Sequence, residues 1–326
     1  MTCVVLYPDA PALARAAAVL QRGGLVAFPT ETVYGLGAHA LDPAAVARIF
    51  AAKGRPAHNP LIVHVADVAA ARALVTDWPA TAQLLADRFW PGPLSLVLPR
   101  RPIVPDVVTA GGPTVALRVP AHPVALALLE ACQIPLAAPS ANRSTELSPT
   151  RPEHVLAGLA NRLDLLLDAG PTPGGLESTV LDLTVSPPRL LRPGLLTITA
   201  LEEVLGPVQR LSAPTAEPLR SPGQLDRHYA PHTPLELAPT PAWPRVEELA
   251  AQGLRVGWLT LGPTSDCPAN VIRVPLPAEP DAYAAGLYAA LHDLDGAQLD
   301  RIVADLPPAT DSWLAIHDRL RRAATR

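Results

Sequence analysis

The chain has 326 residues and a formal net charge of −4 at pH 7, enough for about two domains with sizeable cores and too acidic to coat nucleic acid by bulk charge. Hydrophobic residues make up 49%, which excludes a disordered chain, and aromatics only 4%, so Ala, Leu and Val have to fill the cores. The three cysteines, Cys3, Cys132 and Cys267, lie far apart without a CxxC; with no leader or membrane-spanning run in view, a soluble, cytoplasmic protein without a cysteine zinc site is expected.

In chain order, residues 11–22 carry a helical pattern that ends at Gly23-Gly24, and residues 25–28 read as a short buried strand. Asp42-Pro43 reads as an N-cap with proline at N1; the helix that follows presents Val46, Ile49 and Phe50 on one stripe and stops at Lys53-Gly54. Strands are expected at 61–65, 94–98, 114–119, 134–138, 179–183 and 189–192, and helices at 67–75, 79–88, 122–132 and 152–160. Strands and helices alternate without strict βαβ order, which predicts an α/β domain with a mixed sheet. Nine prolines between 205 and 244 disfavour helix and central strand, so most of that stretch is expected to be an extended linker. Beyond it, strands at 254–261, 270–274 and 301–305, with helices near 280–293 and 312–323, suggest a small Rossmann-like domain.

Of the 26 basic residues, 25 are arginines, and the sole lysine is Lys53 in Lys53-Gly54-Arg55-Pro56. A lysine kept in so arginine-rich a chain points to a role for a compact point charge, such as holding a phosphate, although a lysine and glycine are also ordinary helix-end residues. Pro29-Thr30-Glu31-Thr32-Val33-Tyr34-Gly35-Leu36-Gly37 follows a strand, and its glycines and hydroxyls suit a ligand cradle or a tight turn. Its Gly35-x-Gly37-x-x-Ala40 is a weak match to the dinucleotide fingerprint and lacks the expected downstream acid. Arg55 and Lys53, with Asn59 and His64 close in sequence, suit an anion such as a triphosphate; no GxxxxGK[ST] is present. Phe89-Trp90-Pro91-Gly92-Pro93-Leu94-Ser95 reads as a turn capped by aromatics. Thr114, Ala116 and Arg118 share one face of a strand. Arg118 there fits a bound carboxylate or phosphate, or a surface salt bridge. Pro139-Ser140-Ala141-Asn142 with Ser148-Pro149-Thr150 fits a phosphate loop or a helix cap. Gly174-Gly175-Leu176-Glu177-Ser178-Thr179-Val180 and Arg192-Pro193-Gly194 complete the set.

Taken in this order, these segments resemble the YrdC-type threonylcarbamoyl-AMP synthases over about residues 10–200. Ser221-Pro222-Gly223 and Arg227-His228-Tyr229-Ala230-Pro231 resemble the linker of the family's long form, and residues 235–326, more loosely, its accessory domain. The resemblance implies an α/β fold with a YrdC-like twisted mixed sheet around a deep basic cavity, plus the small Rossmann-like C-terminal domain. The implied divisions are a catalytic domain at 1–206, a proline-rich linker and lid at 207–237, and an accessory domain at 238–326. It implies that L-threonine, bicarbonate and ATP give threonylcarbamoyl-adenylate and pyrophosphate, for N6-threonylcarbamoylation of the adenosine beside the tRNA anticodon. Lys53 and Arg55 would be catalytic. ATP would meet Lys53, Arg55, Asn59, Thr114, Ser140, Ser148 and Arg192, with Tyr229 closing as a lid. Threonine would be held by Thr32, His64, Arg118, Ala138 and Ser178. Mg²⁺ would arrive with ATP, no other metal is expected, and a tRNA threonylcarbamoyltransferase complex would take the product, with tRNA contact as a further expectation and none with a membrane.

Several positions depart from the family pattern. Ser95 stands where threonine is usual and Thr145 where glycine is usual; Gln224, Leu225 and Asp226 replace the usual linker residues. A hydrogenase-maturation carbamoyltransferase of the same fold is disfavoured, because the chain has neither cysteine zinc fingers nor an acylphosphatase region. A non-catalytic double-stranded RNA or tRNA-binding module would use the arginines but has no need of Lys53, His64 or Ser178.

Overall fold

The computed structural model describes residues 3–210, 228–262 and 267–325; the linker positions Gln224, Leu225 and Asp226 lie outside them. The first part of the chain forms β1 (Val4–Leu6), α1 (Ala10–Gln21), β2 (Val26–Phe28), β3 (Gly35–His39), α2 (Pro43–Lys53), β4 (Ile62–His64), α3 (Val68–Arg72), α4 (Ala80–Phe89), β5 (Leu94–Pro99), α5 (Asp106–Thr109), β6 (Thr114–Arg118), α6 (Pro123–Cys132), β7 (Leu136–Ala137), α7 (Pro152–Leu159), β8 (Leu165–Leu167), β9 (Thr179–Asp182), β10 (Arg189–Arg192), α8 (Ile198–Leu205) and β11 (Gln209–Arg210). Asp9 caps α1 by accepting from the Ala12 N–H at 2.8 Å, and Asp42 caps α2 ahead of Pro43; each such cap is worth about 1 kcal/mol.

Among the described residues, eleven strands join in one mixed sheet, ordered β1-β8-β2-β3-β7-β4-β6-β5-β9-β10-β11. Alternation along β2 shows why both faces must be covered. Ala27 points into the larger core with α2 and α4, while Val26 and Phe28 point to the opposite core, where α1 and α6 pack. Ala16, Ala17 and Leu20 of α1 meet Leu128, Leu129 and Cys132 of α6 there. Small alanines let these helices sit close to the sheet, which is how a chain poor in aromatics fills its interior.

The remaining residues form β12 (Leu235–Ala238), α9 (Trp243–Ala251), β13 (Val256–Leu261), β14 (Val271–Leu276), α10 (Pro280–Asp295), β15 (Arg301–Asp305) and α11 (Leu314–Ala324). Their sheet is parallel, ordered β12-β15-β13-β14. Helix α9 covers one face, and α10 and α11 the other. The layering is that of a doubly wound domain, but the first strand lies at the edge, where a dinucleotide-binding Rossmann sheet has it inside. Asp305, buried at the end of β15, ties the unit together by accepting from the Ala242 N–H, the Trp258 indole and the Leu261 N–H at 2.8–3.0 Å.

Four expectations are revised. Gly35 and Gly37 lie within β3, antiparallel to β2, so they do not form the strand-to-helix turn of a dinucleotide fingerprint. Glycine at 37 answers to packing instead, since a Cβ there would come within 2.7 Å of the Phe28 ring. The proline-rich stretch is not wholly linker: β11, β12 and the start of α9 fall within it. Pro234 precedes β12 and Pro244 sits in the first turn of α9, positions that require no N–H donor. The expected strand at 134–138 shrinks to β7, and the helix at 67–75 to α3.

Thr145 resolves one departure from the family pattern. Its φ is 72°, the left-handed conformation that glycine adopts freely and that strains a β-branched residue. The surrounding backbone imposes it: the Ala230 N–H donates to the Thr145 carbonyl at 2.9 Å, and the Ser144 N–H to the Lys53 carbonyl at 2.8 Å. Thr145→Gly is therefore expected to raise stability by about 0.5–1 kcal/mol, strain relief exceeding the entropy of the added glycine; an unchanged or lower midpoint in urea denaturation would contradict this.

Candidate active site

A cavity lies against the large sheet, and the strands with their flanking loops explain which residues reach it. His64 ends β4, Arg118 ends β6 beside it in parallel register, and Arg192 ends β10. Thr32 precedes β3, Ala138 follows β7, and Ser178 precedes β9. These six line the cavity together with Thr30, Arg55, Ser140, Glu177, His228 and Tyr229.

Arg118 is buried, so the surface salt bridge is ruled out. One of its Nη2 hydrogen bonds goes to Glu31 Oε1 at 2.6 Å and another to the Thr32 hydroxyl at 3.1 Å, while its Nε donates to the Gly92 carbonyl at 3.2 Å. The turn around Trp90 is thus more than a cap, because its Gly92 carbonyl aims the arginine. Trp90 fixes that turn through its own indole N–H, which donates to the Leu94 carbonyl at 2.7 Å. The hydroxyls of Ser95 and Ser178 are 2.8 Å apart, so the family's threonine at position 95 is replaced with its hydrogen-bonding group retained. His64 is buried, and that burial, with Arg118 second, lowers its imidazole to about 3. It is neutral at working pH, and its Nδ1 has no hydrogen-bond partner among the described residues.

The other wall is cationic. Arg55 donates to the Asn59 carbonyl, the Asn59 side-chain oxygen and the Pro60 carbonyl at 2.6–3.0 Å. Burial lowers its guanidinium to about 9, still a cation at neutral pH. Arg192 donates to the Ser178 carbonyl and hydroxyl at 2.9–3.0 Å. Neutral oxygens orient both arginines without cancelling their charge, which leaves net positive charge for an anionic ligand.

Lys53 sits behind this wall and does not line the cavity. Its Nζ donates to the carbonyls of Ser140 and Asn142 and to the Asn142 side-chain oxygen. Burial, with Arg55 second, lowers its ammonium well below the usual lysine range. The arrangement accounts for lysine over arginine: three converging oxygens fit a compact tripod of donors, not a planar fork. Lys53 thereby shapes the Ser140 loop from behind. Asn59 acts through Arg55, and Ser148 donates to Glu177 Oε1, so both stand one contact from the cavity. Thr114, at the opposite end of β6 from Arg118, does not line it.

Sequence reasoning missed Glu31 and Glu177. Burial alone would raise the Glu177 carboxyl, but Arg319, then Arg192 and the Ser148 hydroxyl, hold it below the usual range. Arg319 comes from α11, and its Nε meets Glu177 Oε2 at 2.7 Å with both side chains buried. Breaking such a pair costs about 3–5 kcal/mol. Tyr288 of α10 places its hydroxyl 3.2 Å from the same oxygen. The only sequence signal for Glu177 was its place in the Gly174–Val180 motif; Arg319 had none. Tyr229 is buried in the cavity wall, edge-to-face with His228 at 4.0 Å between ring centroids.

Residues 18–194 match the family model described as telomere recombination, the Sua5/YciO/YrdC family. Residues 196–325 match the model of the threonylcarbamoyl-AMP synthase C-terminal domain. The chain is 45% identical to the threonylcarbamoyl-AMP synthase of Bacillus subtilis, covering 98% of this chain and 94% of that one. It is 43% identical to that of Pyrococcus abyssi, covering 95% and 93%. Its structure superposes on the crystal structure of P. abyssi Sua5 complexed with L-threonine with a TM-score of 0.91, at 41% identity over 99% of this chain and 97% of that one. The E. coli YciO structure matches a smaller part, 62% of this chain, with a TM-score of 0.54 and 25% identity. With two family models end to end and relatives matched over nearly their whole length, the chain belongs to the threonylcarbamoyl-AMP synthase family, in its two-domain form.

Proposed function

We propose that this chain is an L-threonylcarbamoyladenylate synthase. The observation that carries the reading is the convergence of Thr32, His64, Arg118, Ala138 and Ser178 on one cavity that Arg55 and Arg192 also line. A small amino acid with a carboxylate suits the first group, and a polyphosphate suits the second. A non-catalytic RNA-binding module would have no use for such an enclosed pocket.

Arg118 receives the threonine carboxylate with its fork, in competition with or beside Glu31. Neutral His64 adds no second positive charge near the amine, and its Nδ1 is free to hydrogen-bond the substrate. Threonine enters as an ammonium. Its nitrogen forms a bond to the bicarbonate carbon, with loss of water and a proton, to give the carbamate. A carbamate oxygen then bonds to the α-phosphorus of ATP as the bond from that phosphorus to the β-phosphate oxygen breaks, releasing pyrophosphate. Bicarbonate, the carbamate, ATP and pyrophosphate are all anionic, so positioning and charge neutralisation by Arg55 and Arg192 supply the catalysis. Ser140 lines the nucleotide side as well, Ser148 and Asn59 back it through Glu177 and Arg55, and Lys53 holds the Ser140 loop in shape. Tyr229 closes that side as a lid.

Mg²⁺ enters with ATP as part of the substrate; among the described residues no cluster of three His, Cys, Asp or Glu side chains offers a separate metal site. The labile adenylate passes to a tRNA threonylcarbamoyltransferase complex, in the cytoplasm, for the modification of tRNA. Among the described residues no helix is long and apolar enough to cross a membrane.

The defining test is pyrophosphate release, which is expected to require threonine and bicarbonate together; release unaffected by omitting threonine would exclude the synthase. Lys53→Arg is expected to cut kcat/KM by about 100-fold, the scale of a misplaced reacting group, because a guanidinium cannot reproduce the tripod. Activity within a few-fold of the parent would show that the loop does not need it. A third prediction concerns acid stability. Burial lowers both His64 and His228 to about 3, against about 6.5 when unfolded. The unfolded chain therefore binds the extra protons between those values. Their contribution is complete above about pH 6.5 and is lost as pH falls towards 3, by about 2 kcal/mol per histidine at pH 5. Denaturation midpoints are expected to fall from pH 7 to 5, and less steeply for His228→Gln; parallel slopes would refute the assignment.

A further inference from the structure

We infer that Arg319 of the C-terminal unit is a positioning residue of the synthase reaction, holding Glu177 and the lid tyrosine Tyr229 so that the nucleotide side of the cavity is complete only when that unit is docked. This rests on the synthase reading of the site.

The guanidinium uses both its edges and its face. Nε donates to Glu177 Oε2 at 2.7 Å, Nη2 to the Pro193 carbonyl at 3.0 Å and Nη1 to Asp318 at 2.6 Å. Its plane lies over the Tyr229 ring, 4.8 Å from the centroid, within the range of a cation–π contact. One side chain thus touches the motif that leads into Ser178, the turn after Arg192, and the lid. It is 1% exposed, so solvent could not take over any of these contacts.

Glu177 explains why this matters to the nucleotide. It lines the cavity beside Arg192, where a bare carboxylate would repel a polyphosphate. Arg319 neutralises it from behind, and Tyr288 adds a hydroxyl, so that Glu177 can accept from Ser148 without opposing the ligand. Among the described residues no side-chain hydrogen bond runs from Arg319, Glu177 or Tyr288 to Thr32, His64 or Arg118, and the loop meets Thr32 through backbone, the Gly175 N–H donating to the Thr32 carbonyl at 3.1 Å.

The docking surface is built into the same loop. A Cβ on Gly175 would lie 2.3 Å from the Ala284 carbonyl and 2.6 Å from the Ala285 Cα, and its φ is +74°. Glycine is required there because α10 presses directly on the backbone two residues from Glu177. Leu176 and Tyr229 share a core with Leu287, Tyr288 and Leu291 of that helix.

The test is steady-state kinetics on the full chain with Arg319→Gln, Arg319→Lys, Glu177→Gln and the Arg319→Gln, Glu177→Gln double variant. Arg319→Gln is expected to raise KM for ATP about tenfold or more, the size of a coupling between contacting residues, while KM for threonine changes less than about twofold. Glu177→Gln on top is expected to recover part of that loss, because it removes the exposed charge. Should Arg319→Gln fail to fold, Arg319→Lys, which keeps the charge and loses the fork, is expected to show the same split at smaller size. Equal changes in the two KM values, unchanged kinetics with lowered thermal stability, or strictly additive effects in the double variant would each overturn the proposal. Failure of the parent protein to release pyrophosphate would instead overturn the synthase reading.

Discussion

Burying cations beside one another is the constraint on which the rest of this structure depends. Among the described residues, the buried lysine and arginine side chains are Lys53, Arg55, Arg118, Arg192 and Arg319, and all five stand in or behind the walls of one cavity. Each has lost its water and needs oxygens in return. Backbone carbonyls of Asn59, Pro60, Gly92, Ser140, Asn142, Ser178 and Pro193 supply most of them. A carbonyl orients a cation without cancelling its charge. The loops that look like recognition motifs in the sequence therefore also turn their carbonyls inward, where they hold the groups that face the ligand.

The two carboxylates of the wall divide the cavity by function. Glu31 pairs with Arg118 on the side that suits a small amino acid, and Glu177 is covered by Arg319 and Tyr288 on the side that suits a polyphosphate. The first pair is built from neighbouring motifs of one sheet. The second exists only because two sheets meet, with α10 and α11 packed against the loop after Gly174. The His154 and His292 rings, stacked 3.8 Å apart across the same boundary, and the His292 contact to the Ser148 carbonyl extend that meeting along the nucleotide side. The two sheets are thus joined by a polar seam as well as by apolar packing, and the seam runs through the site.

Departures from the family pattern show what the site demands at each position. Ser95 keeps a hydroxyl within reach of Ser178, which is what a threonine there would provide. Thr145 keeps a left-handed backbone without glycine's freedom, held in place by the bonds around Ser144 and Ala230. The chemistry of a position can thus be preserved through a side chain or through a backbone angle, and only the first can be read from residue type.

Helices and strands were legible wherever a cap or a sustained apolar pattern marked them. Asp42-Pro43 announced α2, and the apolar runs announced β4, β5, β6 and β15. Short strands such as β1 and β8 were not legible, because three residues carry too little periodicity, and the proline count hid β12 and α9 because a proline just outside an element reads the same as one that breaks it. The motifs by themselves determined the family resemblance and most of the residues that line the cavity, since each motif carries its own backbone geometry. Only the tertiary structure decided that Lys53 faces carbonyls instead of the cavity, and that Glu177 belongs to the site with Arg319 as its partner. Those facts depend on which side of a loop a side chain takes and on contacts between residues 142 positions apart, neither of which leaves a local mark on the chain.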